Sequence, residues 1–351
     1  MSMPASRPRP TRLIQRSLLA SSLTLVLAGG ACGRLDEADE YRQAVPRHED
    51  VNIVVPGGAQ VGALTAEDVG ATRGALLGEQ AELYRLTRGV TAVVNGGTVA
   101  VLALVRTIIA FPPTELEDDV AVWGPHTQPL SPNTWRLTVT RLEPGRFQYL
   151  FEAKPKTAPD SGYLTILSGH HSFAGTGSGI RRRAGQAGYG SGDFDIDWDK
   201  AQMLPEHDDN VGSAHFVYSR PAAGANATIG VTFHQVMDKD TGMRVDAQYG
   251  FVETPSDGGS FQFTLTKNEI LTSAALETLS VRSRWRQTGA GRSDMKMVGG
   301  DLGTSEATAS ECWDSNFASV FMTNSYGDAA KKWGAEPSCD AAFQSPDHAV
   351  F

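Results

Sequence analysis

From about Val120 onward, apolar residues fall on every second position. Trp135, Leu137 and Val139 alternate with Arg136, Thr138 and Thr140, and Phe147, Tyr149 and Phe151 follow the turn signal Glu143-Pro144-Gly145. The same period returns over residues 163–168, 194–198, 216–218, 229–233, 245–251, 261–265, 279–285, 295–298 and 317–323. This predicts about eleven strands, because a pleated chain turns successive side chains to opposite faces. Short loops such as Asp238-Lys239-Asp240-Thr241-Gly242 and Ser256-Asp257-Gly258-Gly259 join them. Such connections require antiparallel neighbours, and strict alternation puts one sheet face in the core and the other in water.

Upstream the period is helical. Thr65-Ala66-Glu67-Asp68 is a capping-box variant, and Val69, Leu76, Leu83 and Val90 recur every seven residues behind it. Asn95-Gly96-Gly97 weakens that pattern. Residues 98–111 resume it with one charge, Arg106, before Pro112-Pro113. An element apolar all round is expected to be buried on all sides. Asn95, the glycine pair and Arg106 argue against a bilayer span over 90–111, which could form one helix, two, or a strand. About ten to twelve strands in one meander must curl, split or close. The expected fold is therefore mainly β (α+β): a large antiparallel sheet, curled or half-barrel, with one or two N-terminal helices packed on it. A two-sheet sandwich with the helices outside is the alternative.

The first 32 residues concern address. Arg7, Arg9, Arg12 and Arg16 precede the apolar run Leu18 to Ala28, and Gly29, Gly30 and Ala31 lead into Cys32. That is a secretory signal, and its apolar core of about 11 residues is too short for a bilayer that needs about 20. The GGAC ending resembles the lipobox of bacterial lipoprotein precursors, with Gly29 where that family usually carries an aliphatic residue. The resemblance implies removal of residues 1–31, diacylglyceryl modification of Cys32 and a membrane anchor. With Gly33 next, the sorting rule it brings favours the outer membrane, at its periplasmic face or the cell surface. Ordinary cleavage after Ala31 would also suit the small residues. Cysteine count bears on this: pairing Cys312 with Cys339 and acylating Cys32 accounts for all three cysteines of an exported chain, where two reduced buried thiols are the other reading of the distal pair.

The expected division is a signal peptide (1–31), a lipidated N-terminus and flexible tether (32–63), a helical segment (64–112), a β domain (113–303) and a disulfide-clipped C-terminal segment of the same domain (304–351). The tether reading rests on the acids between Asp36 and Asp50, on Pro46, Pro56 and Gly57-Gly58, and on little periodicity apart from Val51 to Val55.

Charge changes the picture in one respect. The full chain carries -9, and loss of residues 1–31 removes four Arg and no acid, leaving about -13. So acidic a surface repels phosphates, which excludes nucleic acid as a partner.

Candidate chemistry is thin. Asp193, Asp195, Asp197 and Asp199 share one strand face but stand too far apart to hold one Ca²⁺ together, and read as a solvated acidic face. Arg282, Arg284 and Arg286 read as a row paired with acids such as Asp294 across the next hairpin. Gly175 to Gly192, with Arg181-Arg182-Arg183 inside it, reads as a loop. His170, His171, His207, His215 and His234 lack zinc spacing and read as surface residues. No catalytic residue, metal ligand or cofactor is expected. The expected role is a non-enzymatic binding protein for a hydrophobic or lipid ligand, since the outline resembles lipoprotein-carrier half-barrels, which hold acyl chains between a concave sheet and helical lids. That role needs an open apolar cavity of several hundred Å³. The alternative is a structural or interaction lipoprotein of the outer membrane with a filled core and envelope-protein partners.

Overall fold

The computed structural model describes residues 38–57, 77–173, 189–222, 224–237, 242–268, 270 and 273–348. Four helices are present among them: α1 (residues 38–43), α2 (His48–Val51), α3 (Glu82–Ile109) and α4 (Trp198–Ala201). The strands are β1 (Glu115–Leu116), β2 (Val120–His126), β3 (Asn133–Glu143), β4 (Arg146–Pro155), β5 (Leu164–Phe173), β6 (Gly190–Asp197), β7 (Ser213–Arg220) and β8 (Ala227–Met237). They continue as β9 (Arg244–Thr254), β10 (Gly258–Lys267), β11 (Glu277–Arg286), β12 (Gly291–Gly299), β13 (Glu306–Trp313), β14 (Ser319–Asn324) and β15 (Trp333–Gly334).

All fifteen form one antiparallel meander in sequence order, and β1 and β15 each pair with a single neighbour, so the sheet does not close. Each of the eleven alternating stretches falls on a strand over most of its length, although Tyr163 and Phe317-Ala318 precede β5 and β14 and Trp198 opens α4. The four further strands are β1 and β15, which are two-residue edges, β2, and β13 (EATASECW), which carries little apolar bulk. Short edges suit an open sheet, which otherwise offers unpaired backbone to other chains. Residues 78–81 blunt one edge further: Gly78 N donates to Ser319 O at 2.9 Å, Ser319 N to Glu79 O at 2.7 Å and Ala81 N to Phe317 O at 3.0 Å.

The period-2 apolar set lines the inner face. Leu137, Val139, Phe147, Tyr149, Phe194 and Phe261 are all fully buried in one continuous core. Each such side chain contributes about 1.5–3 kcal/mol relative to exposure. Gly169 and Gly192 make room in it: a Cβ at either position would collide with a β6 or β5 carbonyl and with the hydroxyl of Tyr149 or Tyr218.

Helix α3 runs unbroken through Asn95-Gly96-Gly97, so residues 90–109 belong to one helix, and 110–111 lie just past its end. The two glycines cost about 1 kcal/mol each. Asn95 is put to tertiary use, its amide bonding both the N–H and the C=O of Ile53 at 2.9 Å. The helix stops before Pro112-Pro113, and neighbours take the carbonyls at and just past its end: Arg42 Nε donates to Ile109 O at 2.8 Å and Trp123 Nε1 to Phe111 O at 2.9 Å. Two expectations are corrected here. Residues 98–111 are not buried on all sides, since Leu102, Val105 and Ile108 face the core while Leu104 and Phe111 are exposed. The helix also begins at Glu82; residues 77–81 are non-helical, and the capping box at Thr65 lies outside the described residues.

The larger correction concerns the tether. Residues 38–57 are packed, with Tyr41, Ala44, Val45, Val51 and Ile53 buried in the same core as the sheet. The segment runs antiparallel to α3: Arg42 meets Ile109, Ile53 meets Asn95, and Pro56 O accepts from Tyr84 Oη at 2.7 Å. Tyr41 stacks edge-on against Phe147 of β4. The described residues accordingly form one compact unit. Of the acids that suggested disorder, Asp39 pairs with Arg42, Asp50 with Arg47 and Glu40 with Arg141 of β3.

Candidate functional site

Two neighbouring strands, β12 and β13, organise the most heavily built polar structure, one cluster on each face of the sheet. On the inner face Glu311 of β13 is fully buried, and its Oε2 accepts from Leu83 N at 2.6 Å. The carboxylate thus caps a helix whose own N-cap residue, Ala81, has no side chain to do so. Burial pushes the Glu311 carboxyl up to about 7; bonds from Leu83, Ser319 and Glu82 oppose that rise, and the nearby Glu82 charge adds to it. Beside it Thr87 bonds Ser283 at 2.5 Å, and Ser283 bonds Ser293. Lys331 pairs with Glu82 at 2.9 Å.

On the outer face Asp294 of β12 is fully buried and accepts four bonds. They come from Arg292 Nε (2.7 Å), Arg284 Nη2 (2.8 Å), Ser310 Oγ (2.7 Å) and the backbone N–H of Asp347 (3.0 Å). Arg292, itself buried, reaches on to Glu336 at 2.9 Å and to Phe343 O at 3.1 Å. The row of Arg282, Arg284 and Arg286 is paired, as its spacing suggested. Arg284 takes Asp294, Arg282 takes Asp347 at 3.1 Å, and Arg286 takes Asp257. These contacts fasten residues 335–348 across the back of β11–β14, and the Cys312–Cys339 disulfide staples the same tail, with Cα atoms 5.5 Å apart.

The acidic run resolves into separate local bonds. Asp193 meets His170 at 3.3 Å and Asp195 meets His215 at 2.8 Å. Asp197 accepts from Lys200 N at 2.9 Å as the cap of α4, and Asp199 is held below the usual carboxylate range by Arg244 and Gly212 N. Among the described residues no group of three or more His, Cys, Asp or Glu is placed to hold a metal ion. His171 differs from the other histidines: it is buried, with Nδ1 2.8 Å from Tyr218 Oη. His-His at 170–171 puts one ring on each face, so the second belongs to the inward phase with Phe173. Most of Gly175 to Gly192, including the three arginines, lies outside the described residues, and its last three positions begin β6. Cys32 is likewise outside them.

Among the described residues, two of the surface clefts border these elements. One of about 210 Å³ lies between Val54 and Pro56 and the inner side chains Phe251 and Trp285. The other, about 400 Å³, lies between Arg292, Ser310 and Phe321 and the tail residues Glu336 and His348. Sequence reasoning missed Glu311, although the phase of Ala307, Ala309 and Trp313 assigns it to the inner face; a lone acid in the apolar phase was the available signal. Comparison with protein-family models, with curated proteins and with solved structures finds no match. The likeness in outline to half-barrel carriers therefore has no match behind it.

Proposed function

We propose that the chain is an outer-membrane lipoprotein, acylated on Cys32, that works as a structural or interaction protein through its surfaces and has no catalytic role. The observation that carries this reading is the occupied inner face. α3 and residues 38–57 lie where a half-barrel carrier would keep its acyl chain, and aromatic residues such as Phe147, Phe194 and Phe261 are sealed from solvent. The export signal and the lipobox-like GGAC supply the anchor, and the disulfide suits an oxidising envelope. Crosslinking in intact cells tests the role, with a recurrent envelope-protein neighbour expected; recovery of none removes it. Intact mass of the purified protein tests the anchor, with loss of residues 1–31 and added acyl groups on Cys32 expected.

A hydrophobic-ligand carrier is the second reading, and the cleft at Phe251 and Trp285 favours it. Val54 and Pro56 form one wall of that cleft and lie in a segment, 52–57, with no helix or strand of its own, so displacing it would widen the cleft. Native mass spectrometry separates the two readings: stoichiometric lipid on the gently purified protein supports the carrier, and a ligand-free mass supports the filled core.

A further inference from the structure

We propose that the outward face of the C-terminal half of α3, marked by Leu104 and Phe111, rests on the lipid bilayer itself. The proposal depends on the reading that Cys32 is acylated. Two observations meet at this place. The first is the helix face. A helix lying on a water-soluble body normally turns charged residues outward, yet α3 has no charged residue between Arg88 and Arg106, and Val93, Leu104 and, just past the helix end, Phe111 are 65%, 44% and 64% exposed. The exposed side of its last turns also carries Arg106 and Thr107, and an arginine there can hold its charged head among headgroups while its stem lies along apolar surface. The opposite side of the same stretch, with Leu102, Val105 and Ile108, is already spent on the core.

The second observation is where the anchored end of the chain leaves the fold. Arg42 of α1 donates to both Ile109 O and Phe111 O, so α1 is fastened to the end of α3 that exposes Phe111. Only five residues separate Cys32 from Ala38. Five residues in any conformation span at most about 20 Å, so an acylated Cys32 keeps the bilayer surface within that distance of α1. No described helix is long and apolar enough to cross a membrane. α3 would therefore lie in the interface, as amphipathic helices do. A net charge of about -13 on the mature chain gives anionic lipid no attraction for it, so the contact is apolar. Small apolar contacts suffice because the anchor supplies a high local concentration.

Single cysteines introduced as Leu104→Cys, Phe111→Cys and Leu130→Cys in the processed full chain, labelled with bimane, test the proposal. Leu130 is 99% exposed and lies just beyond the opposite end of β2 from α1, which makes it the control. The native disulfide is buried and stays intact during labelling, and all three sites are exposed enough to leave the fold unchanged, which circular dichroism checks. In phosphatidylcholine vesicles entered through the anchor, the labels at 104 and 111 should shift to the blue and be quenched by brominated lipid, while the label at 130 should do neither. Labels at 104 and 111 as aqueous as the one at 130, on protein whose intact mass shows acylated Cys32, overturn the proposal alone. An unacylated Cys32 overturns the anchor reading and removes the ground of this one.

Discussion

Asp294 and Glu311 sit on adjacent strands, both fully buried, on opposite faces of one sheet, and they are accommodated in different ways. Asp294 lies under the C-terminal tail with two guanidinium groups, a hydroxyl and a backbone amide around it. Glu311 lies under α3 with amide and hydroxyl donors and no cation on it, and burial raises its carboxyl to about 7. The difference follows from what covers each face. The tail brings Glu336 and Asp347 to a face already lined with arginine, so charge is matched by charge. The helix brings the partial positive charge of its N-terminus, about half a unit, which offsets a carboxylate only in part.

The sharpest way to break that comparison is to remove the better-satisfied member. Asp294→Ala leaves Arg292 buried and Arg284 short of its partner. A buried pair broken from one side costs about 3–5 kcal/mol. Urea unfolding followed by circular dichroism should show the midpoint fall accordingly. A loss below about 1 kcal/mol would mean that Glu336 and Asp347 take over both guanidiniums. Next in size is the staple over the same face. Cys312→Ser with Cys339→Ser opens a closed loop with a sequence separation of 27, worth roughly 3 to 4 kcal/mol in the chain-entropy model. Limited proteolysis should then cut within residues 335–348 ahead of the sheet. A tail that stays protected in the double variant would assign its hold to the arginine cluster alone.

Glu311→Gln breaks the inner member, and its effect depends on pH. The folded carboxyl sits at about 7 against an ordinary 4.5, so the folded state binds the extra proton between those values. The wild type should therefore lose stability as pH rises from about 4.5 through 7. The loss should reach at most about 3.5 kcal/mol, because each tenfold difference in proton affinity between the folded and unfolded chain is worth about 1.4 kcal/mol. Glutamine keeps an acceptor for Leu83 N and carries no charge. At pH 5 it should match the wild type, and at pH 8 it should unfold at higher urea. Equal midpoints for both proteins at pH 5 and pH 8 would show that water reaches this carboxylate.

How far the sequence foretold these two faces varies by element. Alternation located the long strands because inward aromatics such as Phe261 and Phe263 leave an unmistakable period-2 signal. It passed over β13, where Ala307 and Ala309 keep the phase with almost no bulk. The Arg284–Asp294 pair was legible because cross-strand neighbours follow from short hairpins. The tail that buries the pair was not, since residues 335–348 have no period. The same is true of residues 38–57: Val51, Ile53 and Val55 alternate, but a run of acids around them matches the composition of a disordered linker. Only the groove between α3 and the sheet gives those few apolar residues somewhere to go. The apolar character of 98–111 was plain, whereas its division into a buried side and an exposed side depends on the sheet curling around one side only.

Asn95→Ala probes that groove. It removes both bonds to Ile53 and leaves a backbone N–H and C=O without partners at a part-buried site, a cost of about 1–3 kcal/mol. Hydrogen exchange should quicken at Ile53 before it does in β4 or β7. Uniform quickening across the sheet would mean that residues 38–57 and the sheet open as one unit.

The smallest effect belongs to the part of the outer face that no tail covers. His215 and Asp195, directly opposite each other on β7 and β6, are about half-exposed, so their 2.8 Å contact, an ion pair only while His215 is protonated, is made in water. Pairs of this kind contribute about 0–1 kcal/mol and weaken with salt. Asp195→Asn should therefore move the urea midpoint by a fraction of the Asp294→Ala effect, and about 0.5 M salt should erase what remains. The two acids face the same side of the same sheet, so the ratio of their effects measures what burial under the C-terminal tail adds to an ion pair. Near-equal losses would show that the tail excludes little water and that the arginine cluster is a surface network.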